Sequence, residues 1–191
     1  MRLLEQVKRR FARPPEQVRA AVLVSGDPDE RVLAWGTLAS DGGWLVATSR
    51  GLCIVPPEVT SVADAEVLRW HEVAHAHWIA GSGGGGSFRV TPLAEVEAGV
   101  QARQPERRYG LVDAGDLPAV VRRRVDQTIV ASQRSPLPGG GGVLLVARRI
   151  PGQAVREWTV VFDDDERRSD PVARDAARQK LADLVAADQP D

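Results

Sequence analysis

The chain has 191 residues, of which 43% are hydrophobic and 27% charged, and its formal net charge is −1. This composition is typical of a soluble globular protein and is long enough for one domain with an extension or for two small domains. The near-neutral charge excludes binding of nucleic acid by bulk charge. The single cysteine excludes an intrachain disulfide framework and a Cys-rich zinc site, and no apolar run has the length of a transmembrane helix.

The N-terminal 25 residues predict two short helices. The apolar residues of the first helix, over residues 2–12, recur at helical spacing on one face: Leu3, Leu4, Val7 and Phe11. Its opposite side is basic and carries Arg9 and Arg10. The second helix begins at Pro15 and runs through Val22. We expect the apolar stripe to pack back on its own domain, with a partner groove or a membrane surface as the alternatives. The charges in this region take the place of an apolar signal core, so we expect a cytoplasmic protein.

Three strands are predicted next, over residues 31–38, 44–48 and 52–55, and a surface loop follows over residues 58–66. Residues 67–79 are ambiguous between strand and helix. Alternation of apolar residues and two tryptophans, Trp70 and Trp78, favour a strand, whereas the alanines favour a helix. We interpret the segment as a strand, in which His71, His75 and His77 share one face because their separations are even.

The same segment contains His71-Glu72-Val73-Ala74-His75, which matches the H-E-x-x-H pattern of zinc proteases. On a helix, His71 and His75 would face one zinc ion and Glu72 would activate the metal-bound water. The pattern requires a helix, however, and Trp78 stands where the extended motif has glycine. The more common explanation is a half-exposed polar stripe, so no metal site is predicted and a zinc-dependent hydrolase is kept as the alternative function.

A glycine-rich segment, residues 81–87, then connects two strands, either as a natural loop or as an introduced flexible linker. The glycine runs at 83–86 and 139–142 lack the Lys-Ser/Thr of a phosphate loop, and no cofactor is predicted. After a strand at 88–91 and a polar stretch, the pattern predicts a strand at 107–112 and a helix at 116–132. A hairpin over 143–149 and 158–162 precedes a last helix that begins at Ser169-Asp170-Pro171.

Short motifs in the strands resemble bacterial pleckstrin-homology-like proteins of the kind frequent in actinobacteria. They are Glu30-Arg31-Val32-Leu33-Ala34-Trp35, Gly43-Trp44-Leu45-Val46-Ala47-Thr48-Ser49-Arg50-Gly51-Leu52 and Leu68-Arg69-Trp70-His71-Glu72-Val73. The resemblance implies an α+β fold: a bent, partly open antiparallel β-barrel of two sheets, capped by a helix. The barrel and its capping helix would span residues 26–133, with N-terminal helices over 1–25 and a β-hairpin–helix extension over 134–191. The resemblance also implies a binding or scaffolding role.

We therefore expect a non-catalytic binding or scaffolding module. A protein partner is favoured over lipid, because no basic loop matches the phosphoinositide-binding relatives and Arg50 is the one basic residue between its two strands. The predicted partner-binding residues are Arg122 and Arg123 on the helix at 116–132, together with Arg9 and Arg10. A weak contact with an acidic surface or a membrane surface is a further expectation, and no nucleic acid is predicted as a partner.

Overall fold

The computed structural model describes residues 13–23, 29–57, 66–151, 153 and 155–188. The predicted first helix, with Arg9 and Arg10, lies outside the described residues, as does most of the predicted loop at 58–66. The described residues form an α+β fold with a few helices and a large mixed sheet of eleven strands that is not closed. The described part of the chain contains no helix with both the length and the apolar character that crossing a bilayer requires.

The described residues contain four α-helices and eleven strands. The α-helices are α1 (Glu16–Leu23), α2 (Leu117–Thr128), α3 (Asp165–Ser169) and α4 (Pro171–Ala187). The strands are β1 (Val32–Leu38), β2 (Trp44–Thr48), β3 (Gly51–Val55), β4 (Glu66–Arg69), β5 (Val73–Ala80), β6 (Gly86–Glu97), β7 (Val100–Arg103), β8 (Arg107–Asp113), β9 (Ile129–Pro136), β10 (Gly142–Arg148) and β11 (Glu157–Phe162). Short 3-10 turns lie at Trp70–Glu72 and Ser82–Gly84.

The chain divides into two compact units. The first consists of the described residues up to Pro92 together with Glu106–Asp126, and the second of Leu93–Pro105 and the described residues from Gln127 onward. The sheet of the first unit has the strand order β4-β3-β2-β1-β8-β6-β5, and every pair in it is antiparallel. The strands at 31–38, 44–48, 52–55 and 107–112 were predicted within two residues of their observed bounds.

The two ends of the first unit's sheet are neighbours along the chain. β4 and β5 are separated only by the turn Trp70–Glu72, so the sheet must curl until its end strands meet at that turn. Two contacts accompany this curvature. Glu66 of β4 forms an ion pair with Arg107 of β8, although three strands lie between β4 and β8 in the hydrogen-bonded order. The Trp70 indole donates a hydrogen bond to the carbonyl oxygen of Thr48 at 3.0 Å.

Two helices cover the sheet of the first unit. α2 places Leu117, Val121 and Val125 in a core with side chains from the inner face of the sheet, and all three are almost fully buried. α1 packs on the other face of β2 and β3 through Val18, which has no exposed surface. Burial of such side chains stabilises the fold by about 1.5–3 kcal/mol each.

The helix predicted over residues 116–132 is shorter than expected. α2 ends at Thr128, and Ile129 begins β9, which pairs with β10. The physical reason is long-range: Ile129 and Val130 are β-branched, and pairing with β10 satisfies their backbone groups in the extended conformation. The prediction of helix at residues 129–132 was wrong.

The second unit contains the end of β6 and four further strands in the order β6-β7-β11-β10-β9. The predicted hairpin is confirmed as β10 and β11, and the predicted last helix as α4. α4 packs Ala173 and Ala177 against Val143, Leu145 and Val160. β7 and β11 pair in parallel, which the antiparallel prediction did not include.

The polar stretch predicted after Pro92 is also a strand. β6 runs through Pro92 to Glu97, and its last part pairs with β7. Proline lacks an amide hydrogen and is tolerated where the ladder is irregular. Pro92 meets that condition, since it lies opposite Val73, beside the register shift in the pairing of β5 with β6.

Candidate binding edge

The His-Glu-x-x-His segment does not form a helix. His71 and Glu72 lie in the 3-10 turn Trp70–Glu72, whereas His75 and His77 lie on β5. The interpretation of residues 67–79 as a strand is therefore correct for β4 and β5 but misses the turn between them. Because of that turn, the three histidines do not continue one strand face. His75 and His77 are exposed, and the side chain of His71 is 14% exposed.

Glu72 has a structural role in this arrangement. Its Oε2 accepts a hydrogen bond from the backbone N–H of Arg69 at 3.0 Å, which stabilises the turn. No group of three His, Cys, Asp or Glu side chains that could hold a metal ion occurs in the described ranges. The alternative of a zinc hydrolase through His71, Glu72 and His75 required two imidazoles on one helix face, and the structure contradicts that requirement.

β5 is an open edge of the first unit. Within the described residues it pairs with β6 and with no other strand. Two hydrogen bonds near the turn that joins β5 to β6 show which backbone groups of the ladder are already used. Gly81 donates to Gly85 across the turn, and the carbonyl of Gly110 in β8 accepts from Ala39 on the side away from β6. By the alternation of an antiparallel ladder, the N–H and C=O groups of Ala76, Trp78 and Ala80 point to the open side.

The other edges of the described sheet differ from β5 in charge and length. β4 has four residues and carries Glu66 and Arg69 at its ends, and β9 carries Arg134 and Pro136. Charges, proline and short length are the usual features that prevent pairing at an edge. β5 has eight residues, and none of them is proline, lysine, arginine, aspartate or glutamate. It is the one long edge of the described sheet without such protection.

The two faces beside this edge have different character. On the inner face Trp78 packs against Phe88 of β6, with ring centroids 5.8 Å apart and ring planes tilted by 38°, and both belong to the core region. On the outer face His75, His77 and Ile79 are exposed. The backbone groups of the edge strand are thus flanked by an apolar face and a polar face, so successive side chains of a strand added there would alternate between the two environments.

The turn that joins β5 to β6 is compact. The glycine-rich segment forms the 3-10 turn Ser82–Gly84, and Gly85 hydrogen-bonds to Ser82. A Cβ atom at Gly86 would lie 2.3 Å from the carbonyl oxygen of Ile79 and 2.6 Å from the Trp78 ring. The segment connects two strands as predicted, but close packing at Gly86 gives it a defined path, which the flexible-linker interpretation did not anticipate.

The predicted partner-binding residues of α2 lie apart from β5 in the sequence and on a different element. Arg122 and Arg123 are both exposed, and Arg122 lies 3.9 Å from Asp126 one turn later. A further arginine, Arg134, lies on β9, where its Nη1 pairs with Oδ1 of Asp163 at 3.1 Å. The β5 edge was not identified from the sequence; the available signal was the absence of lysine, arginine, aspartate and glutamate over residues 73–80.

Comparisons of the chain with protein-family models, with curated proteins and with solved structures found no match.

Proposed function

We propose that this chain is a non-catalytic protein-binding module of pleckstrin-homology-like fold, and that it binds an extended peptide segment of its partner along β5. The open, uncharged edge of β5 carries this proposal. An added strand would form main-chain hydrogen bonds with Ala76, Trp78 and Ala80, and neighbouring side chains would supply selectivity.

The architecture of the first unit supports the pleckstrin-homology-like assignment. Its seven described strands are antiparallel, its sheet curls so that β4 and β5 meet at a turn, and a helix follows the last strand. The ion pair between Glu66 and Arg107 and the burial of Leu117 and Val121 fit a bent, partly open barrel with a capping helix. Strand order and curvature are a fold-level argument, so the function rests on the edge itself.

The test selects ligands and then removes one backbone donor from the edge. Displayed peptides of about twelve residues, enough to span β5 and its flanks, are selected on the immobilised full chain and resynthesised. Their affinities are measured for the unaltered chain, for Ala76→Pro and for Ala76→Ser. Proline removes an N–H that makes no native ladder bond, whereas serine keeps it.

We expect Ala76→Pro to weaken binding of the selected peptides by about tenfold or more and Ala76→Ser to leave it within about twofold. Amide hydrogen exchange of the complex should show new protection at Ala76, Trp78 and Ala80. Circular dichroism and thermal unfolding check that both variants fold. If no peptide is enriched, or if the enriched peptides bind Ala76→Pro as well as the unaltered chain, the proposal is wrong.

A further inference from the structure

The outer face beside the open edge carries a row of nitrogen-bearing side chains. His77 of β5 lies opposite Arg89 of β6, and Arg89 lies opposite Arg108 of β8. Directly opposite residues share a sheet face, so the three side chains form a line across three strands. His77 is exposed, and the Arg89 and Arg108 side chains are 39% and 66% exposed.

This row has one carboxylate for two guanidinium groups. Oε1 of Glu106 lies 2.9 Å from Nε of Arg108 and 3.9 Å from Nε of Arg89. Within the described strands β5 and β8 and the part of β6 in the first unit, no other acidic side chain lies on this face. Asp113 falls on the opposite face by alternation from Arg108. Nε of Arg89 is buried and makes no hydrogen bond.

From this row we infer that the β5 edge selects a peptide with acidic side chains at alternate positions, an inference that rests on the proposed function. An added strand places every second residue on the outer face, opposite His75, His77 and Ile79. A residue of the added strand opposite His77 would be separated from Arg89 by two interstrand spacings, or about 10 Å between the two backbones. A carboxylate at that position is within reach of the long arginine side chain. Its charge would complement the excess positive charge of the row.

The same row argues against a second copy of this chain as the occupant. Antiparallel pairing of β5 with β5 would continue the line of His77, Arg89 and Arg108 into an identical line of the other copy. Like charges would then be added to an interface in which each copy has one carboxylate, that of Glu106, for two guanidinium groups, which disfavours the pairing. An acidic strand removes the imbalance, and the identical copy increases it.

The experiment uses three synthetic peptides of equal length, in which valine alternates with glutamate, glutamine or lysine. Their affinities for the full chain are measured at low and at physiological salt. The glutamate peptide should bind at least about tenfold more tightly than the lysine peptide at low salt, and the difference should shrink as salt is added. The glutamine peptide should lie between them.

Two variants locate the preference. Arg89→Gln and Arg108→Gln should each reduce the ratio of the affinity for the glutamate peptide to that for the lysine peptide by about threefold or more. The affinity for the glutamine peptide should stay constant. Arg19→Gln is the matched control, because Arg19 is exposed on α1, which packs against other strands, and it should leave the ratio unchanged. Thermal unfolding confirms that each variant is folded.

The outcomes separate the inference from the function. Equal affinity for the three peptides, lost in Ala76→Pro, would leave the proposed function standing and overturn the acidic preference. Failure of the three peptides and of the selected peptides alike would overturn the function itself. A concentration-dependent dimer that is abolished by Ala76→Pro would show that a second copy occupies the edge and would also overturn the inference.

Discussion

The indole of Trp70 and the carbonyl of Thr48 connect the turn between β4 and β5 to β2. Nε1 of Trp70 donates to the Thr48 oxygen at 3.0 Å, and the ring is 1% exposed. The Thr48 hydroxyl donates in turn to the carboxylate of Glu30 at 2.6 Å and accepts from the N–H of Gly51. The turn at which the two ends of the sheet meet is therefore held by a buried hydrogen bond as well as by packing.

Replacement of Trp70 by phenylalanine should destabilise the first unit by more than the loss of buried apolar surface area alone predicts. Trp70→Phe leaves the Thr48 carbonyl without its indole donor, which costs about 1–3 kcal/mol in a buried site. Trp44→Phe is the matched control, since the Trp44 side chain is only partly buried and no hydrogen bond of its indole occurs among the described residues. If urea unfolding shows that both variants lose the same free energy of unfolding, the role of the hydrogen bond is contradicted.

Cys53 provides a pH-dependent test of packing beneath α1. Burial, followed by the negative charge of Glu30, raises the pKa of the Cys53 thiol from 9.0 to about 12, against the opposing effect of a hydrogen bond with Thr48. Between pH 9 and 12 the unfolded thiol ionises and the folded thiol does not, so unfolding becomes more favourable as pH rises. The contribution is constant below pH 9.

The measurement compares urea unfolding of the unaltered chain and of Cys53→Val at pH 8 and pH 10. Between pH 8 and pH 10 the free energy of unfolding of the unaltered chain should fall by about 1 kcal/mol more than that of the variant. The reason is that each pH unit above the pKa of the thiol in the unfolded chain corresponds to about 1.4 kcal/mol. Subtracting the variant removes the contributions of tyrosine and lysine. The same loss in both proteins would show that the thiol is not shielded.

Features determined by neighbouring residues were predictable from the sequence. Asp170 accepts a hydrogen bond from the N–H of Val172 and precedes Pro171, so the start of α4 follows from a short motif. The turn before β2 is similar, since Asp41 accepts from Gly43 two residues later. In such cases the residues that determine the structure lie within one turn of each other.

Features determined by distant residues were not predictable. The 3-10 turn at Trp70 depends on a hydrogen bond to Thr48, 22 residues earlier in the chain. β9 starts at Ile129 because β10 lies beside it, although the helical pattern continues past Thr128. The candidate binding edge also depends on distant residues, because the pairing of all the strands decides which strand is left with an unpaired side.

Arg148 tests the cost of a buried charge in the second unit. The side chain is 5% exposed, burial lowers the pKa of its guanidinium, and no carboxylate of the described residues lies within 4.0 Å of it. Its hydrogen bond is to the Thr128 hydroxyl at 2.9 Å. A buried cation with one neutral acceptor stabilises a fold poorly.

We expect Arg148→Met to leave the free energy of unfolding unchanged or to raise it, because the methionine fills similar space without the desolvation cost. Thr128→Val should instead lower it by about 1–3 kcal/mol, since the guanidinium loses its acceptor. In the double variant the effect of Thr128→Val should largely disappear. Additive effects of the two substitutions would show that the pair does not interact energetically.

The placement of the histidines predicts the metal content of the purified protein. His71 lies in a turn and His75 on a strand, so we expect less than one zinc ion per chain and no change in His75→Ala. Elemental analysis of tag-free protein measures this directly. Stoichiometric zinc that is lost in His75→Ala would support the hydrolase alternative, and peptidase assays of Glu72→Ala would then follow.

The basic face of α2 remains a separate prediction for partner binding. Arg122 and Arg123 are exposed on a helix, whereas the proposed peptide site is a strand edge on another element. The double substitution Arg122→Glu and Arg123→Glu should therefore change the affinity of edge-selected peptides by less than about threefold at physiological salt, because salt screens the interactions of exposed charges. The positions are exposed, so the fold should tolerate the change. A loss of about tenfold, with unfolding unaffected, would place the binding surface on α2, where the sequence alone predicted it.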